Sequence, residues 1–322
     1  MIGQYQDADG SWLNCEIVRQ GRNNTRIEIP GRPSFLVETK KVRLWSETLN
    51  CNNQISGGTF GRIVPEVPLQ RLYKQLRSFK GSKRQVFEAA KGLLTSTGMD
   101  SPGAFIAELF GRSVEQMQHY SNEGEGFYPN SRQNRCREDY PFANALVQTL
   151  GDGKERLIGN AKMKLVDYEI YPLRTTNSVR ENGKKTTGKV SGTLDALFAI
   201  SIDGVTLPGI GEIKAKTEQV GVTFAFIQAL MNATLLLTKS QFQRLKTVAK
   251  TQYEANFASL NCELPRVDVI LLVDDRSKFI SDDVQLALEL REHCQKNLQK
   301  HLRSIGFYKT SNNATKFSIL EG

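Results

Sequence analysis

The chain has 322 residues, 39% of them hydrophobic, enough to bury a substantial core in two or three domains rather than one. Its 43 Lys+Arg against 34 Asp+Glu give a formal charge of +9 and a pI near 9.3, which favours a polyanionic partner, nucleic acid being the commonest. Cys15, Cys51, Cys136, Cys262 and Cys294 are scattered, with no C-x-x-C and no histidines at zinc-ligand spacing. They argue against a disulfide framework or a structural zinc site and read as free thiols in a reducing compartment.

The N-terminus, Met-Ile-Gly-Gln-Tyr-Gln-Asp, lacks the basic and apolar regions of a signal peptide. The longest apolar run, Phe224 to Leu237, is interrupted by Gln228 and Asn232. The expectation is a cytoplasmic protein with no membrane partner.

Residues 1–48 read as short strands separated by turns. Asp9-Gly10 precedes a strand from Trp12 to Arg19, and Gly21 to Asn24 turns into Thr25 to Ile29. Pro30-Gly31-Arg32-Pro33 then leads to Phe35 to Glu38, and Val42 to Trp45 closes the series. This order resembles the small β-barrels of the Tudor and SH3-like families. That resemblance implies an aromatic cage for a methylated residue, although Tyr5, Trp12, Phe35 and Trp45 serve equally as core. Residues 49–66, polar and rich in glycine, read as a linker.

Residues 67–135 read as a helical segment. Leu69, Leu72, Tyr73, Leu76 and Phe79 follow helical spacing from Pro68, with Arg71, Lys74 and Arg77 turned elsewhere, an amphipathic basic helix. Ser101-Pro102 opens a second helix running through Phe105 to Phe110. A polar loop over residues 118–137 mixes Tyr120, Phe127 and Tyr128 with Arg132, Arg135 and Arg137, a composition suited to stacking on bases or to plain surface. Asp139 and Pro141 open a helix through Leu150.

Residues 136–322 carry the chemistry. Lys164 to Leu173 alternates as a strand, Gly192 to Ile202 forms a second containing Asp195, and Asp203-Gly204 signals a hairpin into a third, Leu207 to Ala215. Strand residues alternate faces, so Glu212 and Lys214 share one face and Ile213 takes the other. The hairpin can bring Asp195 toward Glu212, where two carboxylates can share a metal. A carboxylate-bound Mg2+ supplies what phosphodiester hydrolysis needs, charge neutralisation and a nucleophilic hydroxide. Lys214 can orient the water and stabilise the developing charge, and Lys216, on the same face, offers a second phosphate contact. Val222 to Leu237 follows as an apolar helix with Gln228 and Asn232 on one face, then Arg266 to Val273 as a buried strand. A last amphipathic helix spans Asp282 to Arg303, with His293 and His301 as surface or packing residues.

This arrangement, Asp195 on one hairpin strand and Glu212-Ile213-Lys214 on the next with a helix and a buried strand behind, resembles the PD-(D/E)xK nuclease superfamily over residues 138–275. The tripeptide pattern alone is weak: Glu38-Thr39-Lys40 and Asp152-Gly153-Lys154 also fit it, without an acidic hairpin strand before them. The resemblance implies an α/β, restriction-endonuclease-like fold, a mixed central sheet flanked by helices. It further implies Mg2+ or Mn2+ as cofactor and DNA as substrate, with RNA as the alternative. Asp195, Glu212, Lys214 and Gln228 are its catalytic set. Asp195, Glu212, Ile213 and the helical Glu138 are its metal set, Glu155 and Glu169 competing with Glu138. The proline that usually precedes the first acid is absent, its place taken by Leu194.

Between the first two strands, residues 175–189 read as a flexible basic loop beside Asp195. Arg174, Arg180, Lys184, Lys185, Lys189 and Lys216 are the expected phosphate contacts. By association, such a nuclease serves restriction, antiviral defence or mobile-element processing. The alternative is a catalytically silent nucleic-acid-binding or assembly subunit of a larger complex. A second protein subunit or a second copy of the chain is then a partner. No Walker motif is present.

Overall fold

The computed structural model describes residues 2–6, 12–20, 24–28, 35–38, 42–44, 66–118, 126–128, 141–181, 184–189, 194–215, 221–248, 251–311, 313–314 and 316–321. The strands before residue 45, residues 126–128, 171–181 and 184–189 are described by their backbone alone. Five N-terminal strands, β1 (Ile2–Gln6), β2 (Trp12–Gln20), β3 (Asn24–Glu28), β4 (Phe35–Glu38) and β5 (Val42–Leu44), pair antiparallel in the order β4-β3-β2-β1-β5. They fall where the alternation and turn residues put them. Residues 49–65 of the linker, Trp45 and the side chains of Tyr5, Trp12 and Phe35 lie outside the described residues.

Three helices follow: α1 (Pro68–Ser78), α2 (Lys83–Thr95) and α3 (Pro102–Gln118). Proline in its first turn starts α1, and Ser113 of α3 accepts the Leu69 N–H at 3.0 Å in place of a local side-chain cap. Sequence reading overlooked α2. Its signal is a capping box, with Ser82 taking the Gln85 N–H and Gln85 reaching back to the Ser82 N–H at 2.9 Å. The helix expected to end at Phe110 continues to Gln118 because Val114 and Met117 stay buried.

The remainder is a mixed α/β unit. Its elements are β6 (Gly126–Tyr128), α4 (Pro141–Leu150), β7 (Arg156–Ile158), β8 (Ala161–Glu181), β9 (Lys184–Lys189), β10 (Leu194–Ile202) and β11 (Val205–Lys214). Then come α5 (Val222–Leu236), α6 (Lys239–Thr247), α7 (Thr251–Phe257), β12 (Val267–Asp274), α8 (Ser281–Asn297), β13 (Leu302–Thr310) and β14 (Phe317–Ile319). The sheet runs β14-β13-β12-β11-β10-β8-β6, with β7 and β9 pairing to β8. β8, β10 and β11 are antiparallel neighbours, and β11, β12 and β13 are parallel, so the crossovers carry α5 and α8.

Two expectations are corrected. Residues 175–181 and 184–189 are not a loop: β8 runs on to Glu181 and β9 returns along it. The terminal helix does not reach Arg303 but stops at Asn297, and Arg303 lies in β13. There its guanidinium bonds Asp268, the Val205 carbonyl at 2.6 Å and the Ile200 carbonyl at 2.8 Å, tying the β10–β11 hairpin to the parallel half of the sheet. Asp268 is fully buried, so this charge-assisted network satisfies groups that water cannot reach.

Each sheet face has its own core. One packs Val269, Leu271 and Val273 of β12 against α1, α3, α5 and α8. The other packs Phe198, Ile213 and Leu272 against Phe142 and Leu146 of α4. All of α5 is buried, which explains its uniform hydrophobicity. Among the described residues no single helix is long and apolar enough to cross a membrane. His293 and His301 pack toward Gly103 and Phe110 of α3. Cys262 and Cys294 are free, and the other three cysteines lie outside the described side chains.

Candidate active site

The β10–β11 hairpin turns at Asp203 and Gly204, with φ of 49° and 78°, the left-handed pair that a tight two-residue turn demands. This turn sets the register Ala196↔Gly211, so one step further on Asp195 stands opposite Glu212. Gly211 allows the strands to close: a Cβ there would lie 2.4 Å from the Phe198 ring, which crosses the far face. On the other side of β10 the register pairs Leu194↔Ile170 and Ala196↔Tyr168, which puts Glu169 opposite Asp195. Glu169, Asp195 and Glu212 therefore form one row across three strands.

The Asp195 Oδ2 accepts the backbone N–H of Ile213 at 2.9 Å, which fixes the carboxylate. Asp195 is half-buried, and its Oδ1 has no hydrogen-bond donor among the described residues. Glu212 is fully buried and Lys214 is 6% exposed, with Lys214 Nζ 2.7 Å from Glu212 Oε1. Two opposite charges at that depth compensate each other's desolvation. Ile213 points to the other core, beside Ile270 and Leu272, so its backbone N–H, not its side chain, faces the site.

α5 packs on β11, and α1 packs on α5. Gln228 of α5 is 9% exposed, and its Oε1 accepts the Tyr73 hydroxyl of α1 at 3.0 Å. Burial and the Glu212 charge push the Tyr73 phenol up to about 12, against the pull of Arg77 and Lys214. Tyr73 and Arg77 are one turn apart on α1, hence on one face. Arg77 is exposed and makes no ion pair among the described residues. Sequence reading placed Tyr73 only in an apolar stripe. The signal it passed over was the hydroxyl, which needs a partner once buried.

α5 is anchored at its start by Asp283 of α8, whose carboxylate takes the N–H groups of Val222 at 2.6 Å and Thr223 at 3.2 Å. Burial raises the Asp283 carboxyl despite these bonds. One turn beyond Gln228, Asn232 is fully buried with neither amide atom hydrogen-bonded among the described residues. Asp167, two residues before Glu169 on β8, takes the Tyr253 hydroxyl of α7 at 2.9 Å and belongs to the structural support.

Not every predicted residue is brought here. Glu138 and Lys216 lie outside the described residues, as do the side chains of Arg174, Arg180, Lys184, Lys185 and Lys189. The α4 helix that follows Glu138 packs on the face opposite Glu212. Glu155 is exposed and pairs with Lys162 at 3.5 Å. Asp152 sits in an exposed turn bonded to Arg156, so that copy of the tripeptide builds no site. No protein-family model, curated protein or solved structure matches the chain.

The donor chemistry suits a hard cation. Asp195 and Glu212 supply carboxylate oxygens on neighbouring strands, the ligand type of Mg2+ and Mn2+, and Asp195 Oδ1 is open. Among the described residues no three acidic, His or Cys side chains converge as a ligand set, so these two acids are the candidate ligands.

Proposed function

We propose that the chain is a Mg2+-dependent nuclease of the PD-(D/E)xK, restriction-endonuclease-like type that hydrolyses DNA phosphodiester bonds. One observation carries the reading: Asp195, oriented by the Ile213 N–H, stands opposite a Glu212 that pairs with Lys214. The strand order also supports it, since three antiparallel strands lead through α5 into a parallel β12.

In this reading Asp195 and Glu212 would hold Mg2+, which when bound would supply a Lewis acid and lower the pKa of a water so that hydroxide is available as nucleophile. Lys214, held at Glu212, presents its ammonium where negative charge develops on the phosphoryl oxygens. Gln228 lines the same side from α5. The β8–β9 hairpin, carrying Arg174, Arg180, Lys184, Lys185 and Lys189, supplies backbone contacts that ignore sequence.

The burial of Glu212 and Lys214 favours a second reading, a silent subunit in which the pair is a structural ion pair and the basic surface binds nucleic acid. Incubating supercoiled and linear DNA, and RNA, with wild type and Asp195→Ala in Mg2+, Mn2+ or EDTA separates them. Metal-dependent cutting lost in Asp195→Ala is the expected result. Binding without cutting selects the silent subunit.

A further inference from the structure

Gln228 has two faces to offer a substrate. Its carbonyl oxygen could hold an attacking water, or its NH2 group could bind an anionic oxygen. The Tyr73 contact decides between them. The phenol has one proton to give, and Gln228 Oε1 is its one acceptor among the described residues. With the amide turned over, the hydroxyl would accept from Nε2 and its own buried proton would have no partner, the costly arrangement. The Tyr73 ring is fixed in turn against Phe224 of α5, with centroids 4.9 Å apart. Gln228 Nε2 is thereby directed away from Tyr73, and among the described residues it donates to no acceptor. The amide is carried by α5, which packs on β11, the strand that bears Glu212 and Lys214.

We propose that Tyr73, on a helix before the α/β core, is a positioning residue that locks the Gln228 amide with its N–H donors toward a phosphate oxygen of the nucleic acid. The carbonyl is thereby withheld from the attacking water. The identity of the ligand rests on the nuclease reading; the orientation of the amide does not.

The test measures equilibrium binding of a short labelled DNA duplex in Ca2+, across a range of pH, by wild type, Tyr73→Phe and Gln228→Glu, with cleavage in Mg2+ run in parallel. Tyr73→Phe keeps the ring packing and frees the amide to turn. It is expected to weaken binding about threefold to tenfold, the worth of one hydrogen bond. Gln228→Glu replaces a donor with an anion of the same shape. It is expected to weaken binding about tenfold or more above neutral pH, with recovery as the carboxyl is protonated at low pH. Urea denaturation of each variant across the same pH range separates weakened binding from lost fold. Gln228→Glu binding as tightly as wild type overturns the proposal, as does a Tyr73→Phe indistinguishable from wild type. A wild type that binds DNA without cutting it sinks the nuclease reading and leaves the amide assignment to the binding data. A wild type that neither binds nor cuts sinks both.

Discussion

The Asp195 carboxylate accepts the N–H of Ile213 at 2.9 Å, so the acid of one strand is fastened to the centre of the Glu-x-Lys segment on the next. The bond separates structure from chemistry. Asp195→Asn keeps an acceptor for Ile213 and should hold stability within about 1 kcal/mol of wild type, while Asp195→Ala strands the N–H and costs about 1–3 kcal/mol. Both should lose Mg2+-dependent cleavage by about a hundredfold or more, since a neutral amide is a poor Mg2+ ligand. Urea denaturation and single-turnover cleavage measure the two effects, and an Asp195→Asn that cuts at the wild-type rate would remove Asp195 from the site.

The Glu212–Lys214 pair predicts a double-mutant cycle. Removing one partner takes from a buried ion the opposite charge 2.7 Å away, so Lys214→Met or Glu212→Gln alone should cost about 3–5 kcal/mol. The double variant should recover most of that stability and none of the cleavage. Recovery of both would assign the pair to the fold alone.

Alkaline stability reports on Tyr73. Its folded pKa is raised from 10.0 to about 12, so the stability tied to its neutral phenol is complete below pH 10 and lost as pH climbs to about 12. Cys294, also raised to about 12 by burial, acts in the same direction, so the readout is the difference between wild type and Tyr73→Phe. That difference should change by about 2–3 kcal/mol across the window. Parallel curves would mean that the phenol is solvated.

Arg303 should be among the costliest substitutions outside the site. Arg303→Ala leaves the buried Asp268 carboxylate without its cation and unties the β10–β11 hairpin from β13, a loss of about 3–5 kcal/mol. Arg303→Lys should rescue little, because an ammonium cannot span Asp268, Ile200 and Val205 at once. Thermal unfolding of both variants checks this.

Arg77 predicts a salt effect. An exposed guanidinium with no carboxylate partner among the described residues, one turn from Tyr73, is placed to meet a phosphate. Arg77→Ala should lower DNA affinity uniformly across sequences and reduce the log–log salt slope by about 1. An unchanged slope would put the DNA path elsewhere.

The Asp203-Gly204 turn, the alternation that gives Glu212 and Lys214 one face, and the apolar run of α5 are local signals, and each was legible in the sequence. Their physics, turn sterics and side-chain periodicity, acts within a few residues. The contact between Tyr73 and Gln228 was not legible, although the family resemblance named Gln228, because the two are 155 positions apart and meet only through packing of α1 on α5. Arg303 likewise continued a helical pattern until the Asp268 carboxylate and two carbonyls drew it into β13. Residues 175–189 looked like a loop because their polarity carries no core-facing period, yet pairing along β8 makes 175–181 and 184–189 strand. Local chemistry thus determined which residues carry charge and on which strand face. Only the tertiary structure decided which are buried together, since desolvation and the need to satisfy buried polar groups depend on neighbours distant in the chain.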